Sequence, residues 1–589
     1  MGFFKTAFAA MFGFVFAWFL VALLSILIIS SIVSSASKKG KVATKSNSVL
    51  VINLDHQITE RTSKDPLKAL SDDGAGVGLN KMLAAIKKAE KDDKIKGILL
   101  KLMGVSGGMA TTEAIRNQLL EFKKSGKFIL AYGEMMSEKA YYIATTADSI
   151  FLYPTGYLEW NGLVSNPMFY KGTFDKLEIE PRVFKVGTFK SFGESFSETK
   201  MSDANRLQIQ TILNDLWEHI LTGIAKQRKL DIPTLKQFAD SLTISTSITA
   251  KNAKLIDDVK YEDEINDILK TKAGVGEKEK LNKIKISDYA KGDKDEDEEE
   301  SKGNKIALIY AVGGISSGEG DEESIGSESI TKAIRQAREN ESVKAIVLRI
   351  NSGGGSALAS DVIAREVMLT KKVKPIIASY GDVAASGGYY ISAACDKIVC
   401  EPTTITGSIG VIGLLYNSEK FFNNKLGVTF DRVYTNPYAD VSNPNRKMTD
   451  FEARKIQNEL YNVYSDFVKV VMKGRGFKDS VSVDAIGGGR VWSGIQAKKI
   501  NLVDELGGID KAIQIAAEKA GLGTDYSTVD YPKYKNTFEK ILENLSKDAQ
   551  MKIATQYLLP EQIRFYNTLK SFNDQRGIYA KMLPEIEIK

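Results

Sequence analysis

The sequence predicts an α/β protein built from two copies of one domain. Short apolar runs with the length of strands alternate with longer segments that have the apolar spacing of helices. The short runs are continuously apolar, which is typical of parallel strands covered on both faces. One half of the chain also aligns with the other half. We therefore expect each half to form its own sheet, with right-handed crossovers between its strands.

The internal repeat has a specific register. Shifting the chain by 248 residues places Gly97–Lys101 (GILLK) on Ala345–Arg349 (AIVLR). The same shift places Tyr141–Ile143 on Tyr389–Ile391. Matches at both a strand-like run and a helix-like run predict a tandem duplication.

The second copy shows the expected order of elements. In chain order these are a strand at Ala345–Ile350, a helix at Ala357–Lys371, a strand at Pro375–Ser379, a turn, a helix at Ser386–Ala394 and a strand at Lys397–Cys400.

Changes in composition divide the chain into five segments. We expect a membrane anchor at residues 1–44, a first repeat at 45–292, an acidic linker at 293–302, a second repeat at 303–530 and a helical extension at 531–589. The linker contains DKDEDEEE, and such a block of like charges is typical of solvated chain. The extension contains FEKILENL, whose apolar spacing is helical.

The amino-terminal segment predicts a membrane anchor. Residues 7–33 are apolar or small and uncharged, which is enough to span a bilayer. Lys38, Lys39, Lys41 and Lys45 follow this run. Taken alone, these lysines favour a cytoplasmic body, although large domains translocate despite such a charge bias.

Composition argues against some classes of partner and some kinds of site. A net charge of +6 over 589 residues argues against nucleic acid as a partner. Cys395 and Cys400 are too few for a disulfide framework and lack metal-site spacing, so we expect core thiols rather than a metal site. The chain has two histidines, His56 and His219.

The stretch Ser379–Tyr390 (SYGDVAASGGYY) is the predicted centre of chemistry. Ser386 precedes two glycines and a small-residue helix, so its hydroxyl would lie beside unobstructed backbone amides. An ordinary helix-capping serine is the alternative. The Gly-rich loop Asn351–Ser356 ends the preceding strand, and the turn Thr406–Gly410 follows the next one. Three such loops at successive strand ends predict one shared site.

A serine nucleophile needs a base to take its proton. His56 ends the first strand and His219 lies in a helical run, so neither falls in a loop of the predicted site. A carboxylate or a desolvated lysine remains. The best lysine is Lys190, which lies between aromatic residues in FKVGTFKSFGESF, although an ordinary surface lysine is the alternative.

The repeat register favours a pair of residues shared between the copies. Ser386 corresponds to Glu138 in the first copy, and Lys190 corresponds approximately to Asp440 in the second. Each copy thus keeps one half of a serine–lysine pair. Whether the two residues meet within one chain or between chains stays open.

These motifs together resemble the long, tandem-repeat form of bacterial signal peptide peptidase A. They are YGDVAASGGYYISAACDKIV, TGSIG, NSGGGS and the lysine in VGTFKS, and the resemblance extends from residue 48 to about residue 530. It implies the Clp protease/crotonase fold, a Ser/Lys dyad and no cofactor. It also implies cleavage of remnant signal peptides by a tetramer, on the periplasmic side of the inner membrane.

The resemblance also implies a role for each residue of the site. The roles are Ser386 as nucleophile, Lys190 as general base, Gly387 with Gly354 or Gly355 as oxyanion-hole donors, and Ser408 as the residue that orients the lysine amine. One position departs from the family, because the usual S-P-G-G is S-G-G-G here. The missing proline leaves this loop less restricted in φ.

The expected function is that of a membrane-anchored serine endopeptidase that works through an acyl-enzyme. Its expected partners are cleaved signal peptides and other unfolded apolar peptides, membrane lipid around the amino-terminal helix, and further copies of the chain. Two alternatives are a crotonase-like acyl-CoA enzyme and a catalytically silent membrane scaffold. Small and apolar side chains near the serine predict cleavage after small or medium-sized apolar residues; they are Ala384, Ala385, Val411, Ile412 and Leu414.

Overall fold

The structure, a computed structural model, describes residues 13–14, 16–17, 43–62, 76–291, 303–321, 323–532 and 579–581. Nearly all of the predicted span at 7–33, the whole acidic linker and nearly all of the carboxy-terminal extension therefore lie outside the described residues. Within the described ranges, no helix is both long enough and apolar enough to cross a membrane.

The first half alternates strands and helices. Its strands are β1 (Ser48–Asn53), β2 (Ile95–Lys101), β3 (Phe128–Met136), β4 (Ser149–Leu158), β5 (Glu180–Val186), β6 (Asp258–Val259) and β7 (Asn282–Lys285). Its helices are α1 (Leu79–Lys91), α2 (Met109–Lys123), α3 (Glu138–Ala144), α4 (Lys171–Leu177), α5 (Glu194–Ser197), α6 (Asp203–Arg228), α7 (Ile232–Asp240), α8 (Ser247–Asn252), α9 (Glu262–Ala273) and α10 (Ile286–Ala290).

Six of these strands form one parallel sheet in the order β6-β4-β3-β2-β1-β7. Alternate residues of β1 enter different apolar clusters: Leu50 and Ile52 lie in one, and Val49 lies in the other. The sheet is therefore covered on both faces, as its continuously apolar strands predict.

The second half has the same alternation. Its strands are β8 (Lys305–Val312), β9 (Gly314–Ser316), β10 (Ser324–Gly326), β11 (Val343–Ser352), β12 (Gly354–Ser356), β13 (Ile376–Ala385), β14 (Lys397–Cys400), β15 (Ile405–Gly407), β16 (Val411–Asn417), β17 (Val491–Ser493), β18 (Glu505–Leu506) and β19 (Ser527–Tyr531). Its helices are α11 (Ser327–Glu339), α12 (Ala357–Lys371), α13 (Gly387–Ser392), α14 (Asp450–Arg475), α15 (Ser480–Asp484), α16 (Gly494–Lys499) and α17 (Ile509–Lys519), with a π-helical turn at Phe421–Leu426.

The main sheet of this half runs in the order β17-β15-β13-β11-β8-β19, with β14 beside β13 and β18 beside β14. Its central strands are parallel, and β17 is antiparallel to β15. Alternate residues of β8 again enter two clusters, with Ala307 and Ile309 in one and Ile306 in the other. The predicted α/β class is confirmed.

A third sheet joins the two halves. Its order is β10-β9-β12-β20-β16-β5, where β20 is Tyr579–Lys581 near the carboxy terminus. Strand β5 of the first half pairs antiparallel with β16 of the second, from Val186 opposite Val411 to Glu180 opposite Asn417. This pairing brings the residues that follow β5 to the start of β16.

The predicted boundaries agree in part with the structure. The helix Ala357–Lys371 and the strand Lys397–Cys400 have the predicted bounds. The turn predicted before Ser386 is wrong, because β13 continues to Ala385 and pairs with β15 over its last three residues. The helices predicted in the carboxy-terminal extension lie outside the described residues, and within it Tyr579–Lys581 form a strand.

Candidate active site

Ser386 occupies the single position between β13 and α13. Its backbone has φ 57° and ψ −116°, a region that costs a residue with a side chain roughly 1–3 kcal/mol. Two hydrogen bonds hold it there: its amide donates to the Gly407 carbonyl at 2.8 Å, and its carbonyl accepts from the Tyr390 amide at 2.8 Å. The residue is fully buried. Such strain at a reactive side chain is typical of functional sites.

The glycine after Ser386 permits close approach of β12. A Cβ on Gly387 would lie 2.7 Å from the Ser360 hydroxyl and 3.1 Å from the Gly355 nitrogen. As the first residue of α13, Gly387 has an amide with no acceptor inside its own helix. The Gly354 amide already donates to the Ser352 hydroxyl at 3.1 Å. The Gly354 amide thus has an acceptor already, and Gly387 lies next to Gly355 of β12.

Lys190 lies against Ser386 in the same chain. The Lys190 Nζ is 2.7 Å from the Ser386 Oγ, 3.1 Å from the Ser408 Oγ and 3.3 Å from the Ser408 carbonyl oxygen. The lysine is buried, and burial lowers its pKa well below the usual value of a lysine. A low pKa favours the neutral amine, which can accept a proton.

The backbone before Lys190 is held by a loop of the second half. The Phe189 amide donates to the Gly488 carbonyl at 2.9 Å, and the Gly489 amide donates to the Ile409 carbonyl at 2.7 Å. This loop therefore contacts both the segment with Lys190 and the turn with Ser408.

Glycines allow these two segments to touch. Gly489 has φ +81°, and a Cβ there would lie 2.6 Å from the Lys190 nitrogen. A Cβ on Gly187 would lie 2.4 Å from the Gly488 backbone. Sequence reasoning missed this contribution, although the run Gly487–Gly489 was a visible pattern.

Gln208 on α6 is a second residue that sequence reasoning missed. This buried amide donates to the Phe189 carbonyl at 3.2 Å and to the Ser191 hydroxyl at 3.1 Å. Its oxygen accepts from the Val491 amide at 3.3 Å. Val491 begins β17, which pairs with β15 just before Ser408. Gln208 thus links both neighbours of Lys190 to the strand pair beside Ser408.

Glu138 is at the position of the first copy that corresponds to Ser386, and Asp440 is near the position of the second copy that corresponds to Lys190. Their surroundings differ from those of Ser386 and Lys190. The Glu138 carboxylate accepts from the amides of Asn161 and Gly162 at 2.7 and 2.6 Å, and burial raises its pKa to about 7. Asp440 pairs with Arg446 at 2.8 Å.

The histidines and cysteines have contacts of their own. His219 Nε2 lies 3.1 Å from the Glu113 carboxylate, and His56 Nδ1 lies 3.8 Å from the Asp55 carboxylate. Both cysteines are buried and unbonded, in agreement with core thiols. Burial raises the pKa of Cys395 to about 12.

Comparison with known proteins gives consistent matches. The sequence profile "Peptidase family S49" matches twice, at residues 121–276 and 368–523. The second match starts 247 residues after the first (368 against 121), close to the shift of the internal repeat. Protease 4 of Haemophilus influenzae is 32% identical over 587 residues, covering 95% of this chain and 94% of that protein.

Two further similarities concern a plant protein and a solved structure. The chloroplastic serine protease SPPA of Arabidopsis thaliana is 33% identical over 483 residues, covering 81% of this chain and 70% of that protein. The solved structure of a ClpP1 mutant from Listeria monocytogenes is 17% identical and covers 34% of this chain and 91% of that chain. Its TM-score of 0.23 is too low to support an argument about the fold.

Proposed function

The chain belongs to peptidase family S49 and is a serine peptidase, and we propose that Ser386 is its nucleophile and Lys190 its general base. The observation that carries this proposal is the 2.7 Å contact between the Lys190 Nζ and the Ser386 Oγ. The family assignment favours a peptidase over the acyl-CoA enzyme and the silent scaffold.

Acylation follows from this geometry. The neutral amine of Lys190 accepts the hydroxyl proton as the Ser386 Oγ forms a bond to the carbonyl carbon of the substrate. Negative charge develops on the carbonyl oxygen, and the amides of Gly387 and Gly355 donate to it. When the intermediate collapses, Lys190 gives the proton to the leaving amine. The peptide bond breaks, and the acyl group stays on Ser386.

Deacylation uses the same groups in the second step. Lys190, neutral again, takes a proton from a water molecule that attacks the ester carbon. The new intermediate expels the Ser386 oxygen, which recovers its proton from Lys190. Ser408 keeps the amine aimed at Ser386, because its hydroxyl and its carbonyl both lie within hydrogen-bond distance of the Lys190 Nζ.

We propose extended apolar peptides, including remnant signal peptides, as the substrates. The residues around the dyad are apolar: Val411 and Ile412 at the start of β16 are buried, and Leu414 packs in the cluster that contains Ile412. Burying apolar side chains in such a site contributes roughly 25 cal/mol per Å². Small or medium-sized apolar residues before the cleaved bond fit these surroundings.

Membrane attachment and assembly belong to the same proposal. The uncharged run at residues 7–33 supports a single-pass anchor. We place the body on the periplasmic side of the inner membrane, where remnant signal peptides are accessible, as a tetramer whose halves each have the Clp protease/crotonase fold. External protease should digest the body in intact spheroplasts. Digestion only after lysis would place the body in the cytoplasm.

Peptide cleavage by dyad variants tests the chemistry. Ser386→Ala and Lys190→Ala should each lose at least about a thousandfold in kcat, as removal of a member of such a unit does in related chemistry. Lys185→Ala and Ser418→Ala are matched controls, because Lys185 lies on the neighbouring β5 and Ser418 follows β16. Ordinary turnover in either dyad variant would refute the assignment.

A further inference from the structure

The strand β20 lies inside a sheet rather than at its edge. Its three residues pair antiparallel with β12, with Gly354 opposite Lys581, Gly355 opposite Ala580 and Ser356 opposite Tyr579. On its other side Tyr579 pairs antiparallel with Ile412 of β16. In the part of the chain that the structure describes, β20 is what connects β10-β9-β12 to β16-β5.

Both neighbours of β20 belong to the site. Strand β12 contains Gly355, whose nitrogen is 3.1 Å from the place where a Gly387 Cβ would be. Strand β16 begins three residues after Ser408, which contacts Lys190. The helix α13, which starts directly after Ser386, also contacts β20. The carboxy-terminal strand therefore contacts three elements that adjoin Ser386 or Ser408.

The position of β20 is the one that the backbone of a bound peptide substrate would need. A peptide bond can react only if its backbone is extended beside Ser386, and unpaired strand edges bind an extended peptide by backbone hydrogen bonds. Removal of β20 would expose two such edges, one on β12 and one on β16. In the structure with β20 in place, Ser386 is fully buried. A substrate backbone and β20 would need the same space.

We propose that the carboxy-terminal strand Tyr579–Lys581 is a tethered competitor that occupies the binding site for the substrate backbone. This inference rests on the proposed function of Ser386 and adds its regulation. A substrate would insert as a strand antiparallel to both β12 and β16 after β20 has left. Because β20 is part of the same chain, its binding is intramolecular and is not weakened by dilution.

A proline in β20 tests the competition in the full-length chain. Ala580→Pro removes one backbone donor and places a ring inside a sheet, where proline is poorly tolerated. Gln575→Pro is the matched control, because it adds a proline outside the described strand. If β20 is bound in about nine molecules of ten, its release should lower KM for a peptide about tenfold. The kcat should stay within twofold.

A binding measurement separates this proposal from the catalytic one. The probe is a labelled synthetic peptide with the sequence GIYAKML, residues 577–583. The full-length double variant Ser386→Ala, Ala580→Pro should bind this peptide about tenfold more tightly than the single variant Ser386→Ala does. If no variant cleaves peptides but this difference in binding is found, the competitor stands and the dyad assignment fails.

Two results would overturn the proposal that β20 competes with the substrate. One is cleavage that depends on Ser386 with neither KM nor peptide binding changed by Ala580→Pro. The other is loss of the last residues from the purified wild-type chain but not from Ser386→Ala, seen by intact mass. The strand would then be a substrate of Ser386. An intact wild-type chain supports the proposal.

Discussion

Glu60 and Arg349 form a buried ion pair between residues that are 289 positions apart in the sequence. The Arg349 Nε lies 2.9 Å from one carboxylate oxygen of Glu60, and Nη2 lies 3.1 Å from the other. Arg349 also donates to the Ser379 hydroxyl on β13, the strand that leads to Ser386. Breaking a buried pair by removing one partner typically costs about 3–5 kcal/mol. The ion pair thus joins the two halves at the strand that leads to Ser386.

The first prediction concerns the pH dependence of cleavage. Because burial lowers the pKa of Lys190, kcat/KM should rise with pH along a limb set by that amine and level off above it. Lys190→Arg should be nearly inactive across this range, since a guanidinium stays protonated. Lys185→Arg is the control and should keep its activity. An active Lys190→Arg enzyme would remove Lys190 from the mechanism.

A second prediction concerns stability. Lys190 has a pKa of about 10.4 in the unfolded chain and a lower one in the folded chain, so the unfolded state binds more protons between these values. The free energy of unfolding should therefore rise with pH in this window, by at most about 1.4 kcal/mol per pH unit. Lys190→Met removes this dependence.

Thermal melts of Lys190→Met and wild type check that prediction. The variant should have the higher Tm relative to wild type near pH 7, and the difference should shrink as the pH approaches about 10. Lys185→Met, on the exposed neighbour, should show no such trend. A difference in Tm that stays constant with pH would mean that Lys190 is not neutralised on folding.

The third prediction uses the same-chain contact. Since Lys190 and Ser386 of one chain are already 2.7 Å apart, a Ser386→Ala chain mixed with a Lys190→Ala chain has no intact dyad. Coexpression of the two variants should give no more cleavage than either variant alone. Recovery of a substantial fraction of wild-type activity would show that the dyad forms between chains.

A fourth prediction concerns Gln208 as a positioning residue. Gln208→Leu keeps the size but loses the hydrogen bonds to the segment around Lys190, and small displacements of reacting groups can cost about a hundredfold in rate. We expect kcat to fall about 10- to 100-fold with KM little changed. The limb of the pH profile should also move, because the surroundings of the Lys190 amine change.

Gln210→Leu provides the control for this variant. Gln210 is an exposed residue of the same helix and pairs with Asn214. Its substitution should change neither kcat nor the pH profile. If Gln208→Leu lowers Tm but leaves kcat and the pH limb where they were, Gln208 has only a structural role.

The fifth prediction concerns Glu138, at the position equivalent to the nucleophile. Its pKa of about 7 exceeds the unfolded value of about 4.3, so the free energy of unfolding falls as pH rises between these values. Glu138→Gln keeps an acceptor for the two amides without the charge, and should stabilise the protein by up to about 4 kcal/mol above pH 7. Cleavage should stay within twofold of wild type. A large loss of activity would mean that the first copy contributes more than Lys190.

The local pattern of the sequence predicted several elements well. Helix Ala357–Lys371 has its predicted bounds because it is long and periodic and begins after a serine that accepts from the Ala359 amide. Strand Lys397–Cys400 is a continuous apolar run. The segment between Ser379 and Ser386, where a turn is predicted, contains a glycine and an aspartate, which favour turns. Pairing with β15 overrides that local preference, and no local pattern contains it.

The sequence predicted those residues of the site that lie in recognisable motifs, and it did not predict the others. Ser386 and Lys190 lie in distinctive stretches, and the structure brings them together. Gln208 is a lone amide within a helical run, and its contact with Val491 spans 283 residues. Strand β20 has three residues, and its pairing partners are distant in the chain. Long-range contacts of this kind leave no periodic pattern in a single sequence.

The division of the dyad between the two repeats sets an order in time. Lys190 precedes Ser386 by 196 residues, and chains are synthesised at about 5–20 residues per second. Ser386 is therefore made roughly 10–40 s after Lys190. For this interval a nascent chain carries Lys190 but not Ser386. If Ser386 and Lys190 act as proposed above, such a chain cannot cleave a peptide bond until Ser386 has been made.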